Sequence, residues 1–153
     1  MSAKIPTGLG WFRLAVHGLV ILAETGDICS SVMLARDLKA HAVFLRRVMA
    51  QLVQARIVVA REGRDGGYRL ARSAESITLA EVYMAVKAAE PPDNIPANQN
   101  DNAPVEYALD EIAAEAEQCL LQVLNSRTIA SMMTRVGALA GSRMMPGEGG
   151  LSS

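Results

Sequence analysis

Cysteine is nearly absent from this chain, which has only Cys29 and Cys119. Two thiols cannot build a disulfide framework and are too few for a metal or cluster site within one chain, so the disulfide-stapled secreted class is excluded. Aromatic residues are also scarce, at 4%. Together with eight methionines in a chain that is 50% hydrophobic, this predicts a helix-rich interior of aliphatic and flexible side chains instead of a β-sandwich. No apolar run is long enough to span a bilayer. The longest, Leu14 to Ala23, is interrupted by His17 and Gly18, abuts Arg13 and precedes no small-residue cleavage pattern. A soluble, cytoplasmic protein without membrane attachment is expected. Also missing are a nucleophile with base and orienter, a phosphate loop and metal-ligand spacing, and the two histidines, His17 and His41, fall on separate helical segments. Neither catalysis nor a cofactor is expected.

At 153 residues the chain is long enough for one domain with a proper core and an appended helix. Its net charge of −1 conceals a split. Residues 1–75 hold eleven Lys/Arg against six Asp/Glu, whereas residues 76–153 hold four against ten. A basic lobe joined to an acidic one suits a phosphate-contacting module with a separate assembly or sensing module. On charge alone, an uneven ordinary surface fits as well.

The basic half is organised around Gly63-Arg64-Asp65-Gly66-Gly67-Tyr68-Arg69-Leu70-Ala71-Arg72. Apolar runs from Ile57 to Ala60 and from Tyr68 to Ala71 flank a corner whose glycines can take positive φ, the signature of a β-hairpin. Arg61, Arg64, Arg69 and Arg72 make that finger basic. Ahead of it, Trp11 to Thr25 predicts a largely buried helix stopped by Gly26, with His17 read as a boundary or core imidazole. Asp27 to Ser31 is a connector ending in a serine cap. A second helix follows from Ser31 to Leu38, with Val32, Leu34, Ala35 and Leu38 facing inward. After a turn at Lys39 to His41, a third helix spans Ala42 to Ala55, with Leu45, Val48, Met49, Leu52 and Val53 on its apolar face. Helix, turn, helix and basic hairpin in that order form a winged helix-turn-helix, and the exposed side of the third helix is the element for the major groove. The candidate DNA contacts are Ser31, His41, Val43, Phe44, Arg46, Arg47, Arg61, Arg64 and Tyr68. A solvated helix face with incidental arginines, and Phe44 as a core anchor, are the alternatives.

Thr78 and Glu81 fit a capping box opening a fourth helix through Ala89. The segment from Pro91 to Pro104 is rich in Pro, Asn and Asp and reads as a loop. A long helix from Val105 to Leu124 carries Val105, Leu109, Ile112, Ala116, Cys119 and Val123 at alternating spacings of four and three, an a/d seam. Such a seam must bury against the domain or against a second copy, on separate faces if both, and a homodimer is the preferred reading. A last helix from Ser126 to Leu139 precedes a tail that is expected to fray from Gly141. The expected fold is mainly α with one small β-hairpin. The expected division is a DNA-binding domain at residues 8–90, a linker at 91–104, dimerisation and C-terminal helices at 105–140, and a flexible tail at 141–153.

Residues 11–90 resemble the Rrf2 family of bacterial winged-helix regulators. The likeness rests on the opening apolar helix, Leu34-Ala35, Phe44-Leu45, Leu52 before Ile57-Val58, the Gly63 to Arg72 wing, and Ile77-Thr78-Leu79-Ala80-Glu81-Val82. It implies a dimeric transcriptional regulator, read here as a repressor answering to a small molecule or a redox signal. In members of the family that sense iron, nitric oxide or redox state, an iron–sulfur cluster is typically held by three cysteines in the loop ahead of the dimerisation helix. This chain has none between Glu90 and Val105, so no such cluster is expected. Cys29 and Cys119 are the candidate redox thiols. The family's wing usually carries arginine before its first glycine, where Glu62 stands here. That substitution keeps open an alternative, a winged-helix interaction module that does not bind DNA.

Overall fold

The computed structural model describes residues 9–89 and 103–143. Most of the 91–104 linker, all but the first residues of the predicted tail and the first eight residues lie outside that range. Helix α1 (Leu9–Thr25) is followed by α2 (Ser31–Leu38) and α3 (Ala42–Gln54), then strands β1 (Val58–Arg61) and β2 (Gly67–Leu70). Helices α4 (Leu79–Lys87), α5 (Ala103–Asn125) and α6 (Ile129–Arg143) complete the order.

Local chemistry sets the boundaries. Gly26 leaves α1 with φ +69, its N–H donating to Leu22 at 3.1 Å. Ser30 caps α2, its Oγ accepting from the Met33 N–H at 3.2 Å. Lys39 ends that helix in the left-handed region at φ 50. The capping box at α4 is present: Thr78 Oγ1 accepts from the Glu81 N–H, and Glu81 Oε2 accepts from the Thr78 N–H at 2.9 Å. The core joins Trp11, Leu19, Leu34, Leu45, Leu52 and Tyr83 with contributions from every other helix.

Three expectations are corrected. Val32, placed on the inward face of α2, is 75% exposed, because only Leu34 of that short helix is fully buried. His17 lies on the solvent side of α1, away from the core. Helix α6 extends to Arg143, past its expected end at Leu139. The structure also adds a join that periodicity does not reveal. The turn between α5 and α6 pairs with the entry to α4: the Leu79 N–H donates to Arg127 O at 2.9 Å and the Ile129 N–H to Ile77 O at 3.0 Å.

The C-terminal third of α5 docks on α4 through Leu120, Leu121 and Leu124. An ion pair between Lys87 Nζ and Glu117 Oε1 sits beside these contacts, and the Tyr83 hydroxyl donates to the same carboxylate at 3.2 Å. The Lys87 hydrogen bond holds the Glu117 carboxyl below its ordinary range against the opposing effect of desolvation, with the Lys87 charge and the Tyr83 bond assisting. A depressed folded pKa makes this stabilisation complete above the unfolded glutamate value and erodes it as pH falls through the folded one. Thermal unfolding between neutral and strongly acid pH should therefore show a loss of stability in the wild type below about pH 4.3 that is smaller in Glu117→Gln. Equal acid dependence in both proteins would contradict the assignment.

Candidate nucleic-acid interface

The hairpin is built by glycines at specific contacts. β1 and β2 pair antiparallel, Val58 opposite Leu70 and Arg61 opposite Gly67, leaving residues 62–66 as the tip. Gly63 takes φ +105. The predicted Arg-Asp-Gly-Gly corner is thus corrected to a longer loop, closed by the Gly66 N–H donating to Gly63 O at 3.1 Å. Gly66 is required for space: a Cβ there would stand 2.4 Å from Arg61 O. At Gly67 a Cβ would stand 2.3 Å from Cys29 O. The connector before α2 runs against β2, with the Cys29 N–H donating to Tyr68 O and the Tyr68 N–H to Cys29 O, each at 2.9 Å. This clamp seats the finger against the start of α2. Between them lies a groove of about 460 Å³, lined by Ser30, Ser31, Arg61, Arg64, Gly67 and Tyr68.

The structure brings Ser31, Arg61, Arg64 and Tyr68 around that one groove. Tyr68 is half-buried with its ring against the core, so at most its outer edge is available. On α3, His41 occupies the cap position without a side-chain cap bond, and Val43, Arg46 and Arg47 are exposed. Phe44 is different: its ring meets Trp11 edge-on, with centroids 5.1 Å apart, and anchors α3 to α1 instead of facing outward. Arg72 also leaves the basic set. β2 has ended by Leu70, and Arg72 turns toward the α4 cap, donating to Ser76 O and pairing with Glu81 at 2.7 Å. Burial pushes the Glu81 carboxyl up, but the Thr78 N–H, Arg72 and the Thr78 hydroxyl together hold it below its ordinary range.

Among the described residues no carboxylate pairs with Arg46, Arg47, Arg61, Arg64 or Arg69, the side-chain ion pairs being Arg36–Asp37, Arg72–Glu81 and Lys87–Glu117. Arg46 and Arg47 on α3, and Arg61 and Arg64 at the groove beside α2, are guanidinium groups suited to phosphates and to guanine edges, whereas Arg69 lines a separate groove with Asp27 and Ile28.

The α5 seam lies on a different side of the rod from its docked third. Glu117, Leu121 and Leu124 face the domain, while Val105, Leu109, Ile112, Ala116, Cys119 and Val123 are all exposed, roughly a third of a turn away at 3.6 residues per turn. Cys119 sits in this seam. Cys29 is buried, and its thiol is pushed up by burial first and by Asp37 second, with Arg36 opposing. Burial thus works against thiolate formation at Cys29. The two thiols stand on different elements. Among the described residues no group of three His, Cys, Asp or Glu side chains is placed to hold a metal ion, and none of the described helices is long and apolar enough to cross a membrane.

Residues 11–135 match the Rrf2 family, described as an iron-dependent transcriptional regulator. A Bacillus subtilis (strain 168) protein named as an HTH-type transcriptional regulator, YwnA, is 28% identical over 127 residues, covering 80% of this chain and 94% of its own length. A solved structure described as a DNA-binding protein superposes with a TM-score of 0.64 at 25% identity, over 80% of this chain and 98% of its own. IscR of T. potens has the same fold, with a TM-score of 0.64 at 20% identity over 95% of this chain and 94% of its own.

Proposed function

This chain belongs to the Rrf2 family of transcriptional regulators, and from that premise we infer that it is a homodimeric, DNA-binding repressor of the cytoplasm whose α3 enters the major groove while the wing follows the adjacent backbone. The observation that carries this reading is the set of four arginines, Arg46 and Arg47 on α3 and Arg61 and Arg64 on the hairpin, left without carboxylate partners among the described residues. A folded protein that keeps guanidinium groups unpaired on a recognition helix presents them to an external anion, and duplex DNA is the anion whose dimensions suit a helix with a neighbouring finger. The exposed seam supports pairing through α5. A two-fold dimer would set two recognition helices roughly 34 Å apart, one turn of DNA.

Two thiols on separate elements do not suit an iron–sulfur cluster. The family description speaks of iron, yet Cys29 is buried in the wing clamp and Cys119 lies on the α5 surface. Regulation without an iron–sulfur cluster is the consistent reading. A groove of about 570 Å³ between α4 and α5, lined by Ala80, Met84, Gln118, Leu121, Gln122 and Asn125, supports a small-molecule effector held between the DNA-binding domain and the rod. A ligand there would bear on the junction that sets the spacing of the two half-site readers. Catalysis is no part of this reading.

The test is binding of the full chain to pooled random duplex at two salt concentrations. Contacts to about 6–10 phosphates should weaken affinity by about 10³–10⁵ between roughly 50 and 200 mM salt. Absence of binding at both would favour the interaction-module reading, for which Glu62, exposed on the wing, is the specific observation.

A further inference from the structure

The side of α3 opposite Leu45, Val48, Met49 and Leu52 carries a line of four exposed residues, Val43, Arg47, Ala50 and Gln54. This line points most directly away from the core, and its chemistry is uneven. Val43, on the first turn, is 63% exposed. A β-branched side chain at a solvent-facing helical position restricts its own rotamers and contributes no burial to this fold. Arg47 stands one turn further on, with its donor fork unpaired among the described residues. Ala50 follows, short enough for the helix backbone to approach a groove floor.

Each of these features matches one feature of the major groove. Thymine contributes the apolar C5-methyl there, and guanine offers the paired N7 and O6 acceptors that match a guanidinium fork. One helical turn advances about 5.4 Å against about 3.4 Å per base step, so the two contacts would fall about one to two base pairs apart. Arg46 flanks the line instead of occupying it, which suits it to phosphates. Resting on the reading that α3 enters the major groove, we propose that Val43 packs against a thymine methyl and that Arg47 reads a guanine about one to two base pairs away, so that each operator half-site holds this thymine–guanine pair.

The full chain is used to select bound duplexes from a random pool, and the selected half-site is then altered one atom group at a time. Replacing each thymine in turn by deoxyuridine removes only the methyl. At one thymine per half-site the wild type should lose about fourfold in affinity, the effect of one buried methyl. Val43→Ala should bind thymine and deoxyuridine alike, while Val43→Ile should keep the preference. Replacing guanine by 7-deazaguanine should cost the wild type about tenfold. Arg47→Lys should lose that sensitivity while keeping the slope of affinity against salt, because the charge is retained and the fork is not. Indifference of the wild type to every thymine methyl, or a methyl preference that survives in Val43→Ala, would overturn the Val43 assignment. Unchanged 7-deazaguanine sensitivity in Arg47→Lys would overturn that of Arg47. Failure of the wild type to bind any duplex removes the major-groove reading itself, and is distinguished by the lack of salt-dependent binding to the random pool.

Discussion

Ile112→Asp should convert the protein from a dimer to a monomer and remove most of its affinity for a two-half-site operator. Ile112 is 62% exposed at the middle of the free part of α5, and none of its neighbours from Ala103 to Ala116 is buried by the chain itself. A helix that leaves Val105, Leu109 and Ile112 in water gains nothing from them, whereas a second copy laid along the seam buries them all. Removing an isoleucine from each protomer forfeits about 1.5–3 kcal/mol per side chain. The aspartates must then be accommodated beside Glu111 and Glu115 on a helix that has no lysine or arginine, which adds a repulsive contribution. A total of roughly 4 kcal/mol or more corresponds to weakening the dimer about a thousandfold.

The domain itself should be untouched, because Ile112 makes no contact with its core. Sedimentation equilibrium and circular dichroism on the same samples separate the two effects: the mass should halve while the helix content of the domain persists. Operator affinity should fall by about 10²–10⁴, since the two half-sites are no longer engaged by one linked particle. A wild type that sediments as a monomer at tens of micromolar, or a variant that still dimerises as tightly, would rule out the seam.

The second large effect is expected at Gly67. A methyl group there would stand 2.3 Å from Cys29 O and 2.7 Å from Cys29 C, both backbone atoms with no side-chain torsion to relieve the clash. At φ +159 the residue also has a backbone that side-chain-bearing residues rarely adopt. Gly67→Ala must therefore separate β2 from the connector, losing the two hydrogen bonds between Cys29 and Tyr68. Two such bonds at about 0.5–1.5 kcal/mol each, with the displaced and partly buried chain ends, bring the loss to roughly 3 kcal/mol. Because the connector leads directly into the Ser30 cap, the wing and α2 would move apart together, and DNA affinity should fall with stability. Gly137→Ala is the matched control. Gly137 lies in α6 with no atom within 4 Å of its would-be Cβ, and this change should stabilise by about 0.5–1 kcal/mol. Urea unfolding midpoints for the two variants should move in opposite directions. Equal midpoints would show that the connector yields without cost.

Local patterns were legible where a residue's role depends on near neighbours. The Thr78–Glu81 box, the Ser30 cap and the apolar stripe of α3 each involve residues within one or two helical turns, and the structure repeats them with small shifts at the ends. The arginine finger was equally legible, since a hairpin is closed by its own tip. Legibility stopped at partners distant in the chain. Nothing in the pattern around Gly67 indicates Cys29: the local sequence shows a turn glycine, whereas the tight constraint is a close approach to the Cys29 backbone. Arg72 belonged by sequence to the basic finger, and Glu81, on the next helix, took it out of that set. By sequence Phe44 suits either the groove or the core, and its edge-on contact with Trp11 places it against the core.

By itself the sequence determined the order of elements, the seam of α5 and the excess of cations in the first half, because periodicity, capping and charge are properties of neighbouring residues. Tertiary packing decided which of those cations stay free, which glycine is irreplaceable and which face of α5 the domain leaves open. Those outcomes depend on what a folded chain brings within a few ångströms, and that distance is not encoded in any local pattern.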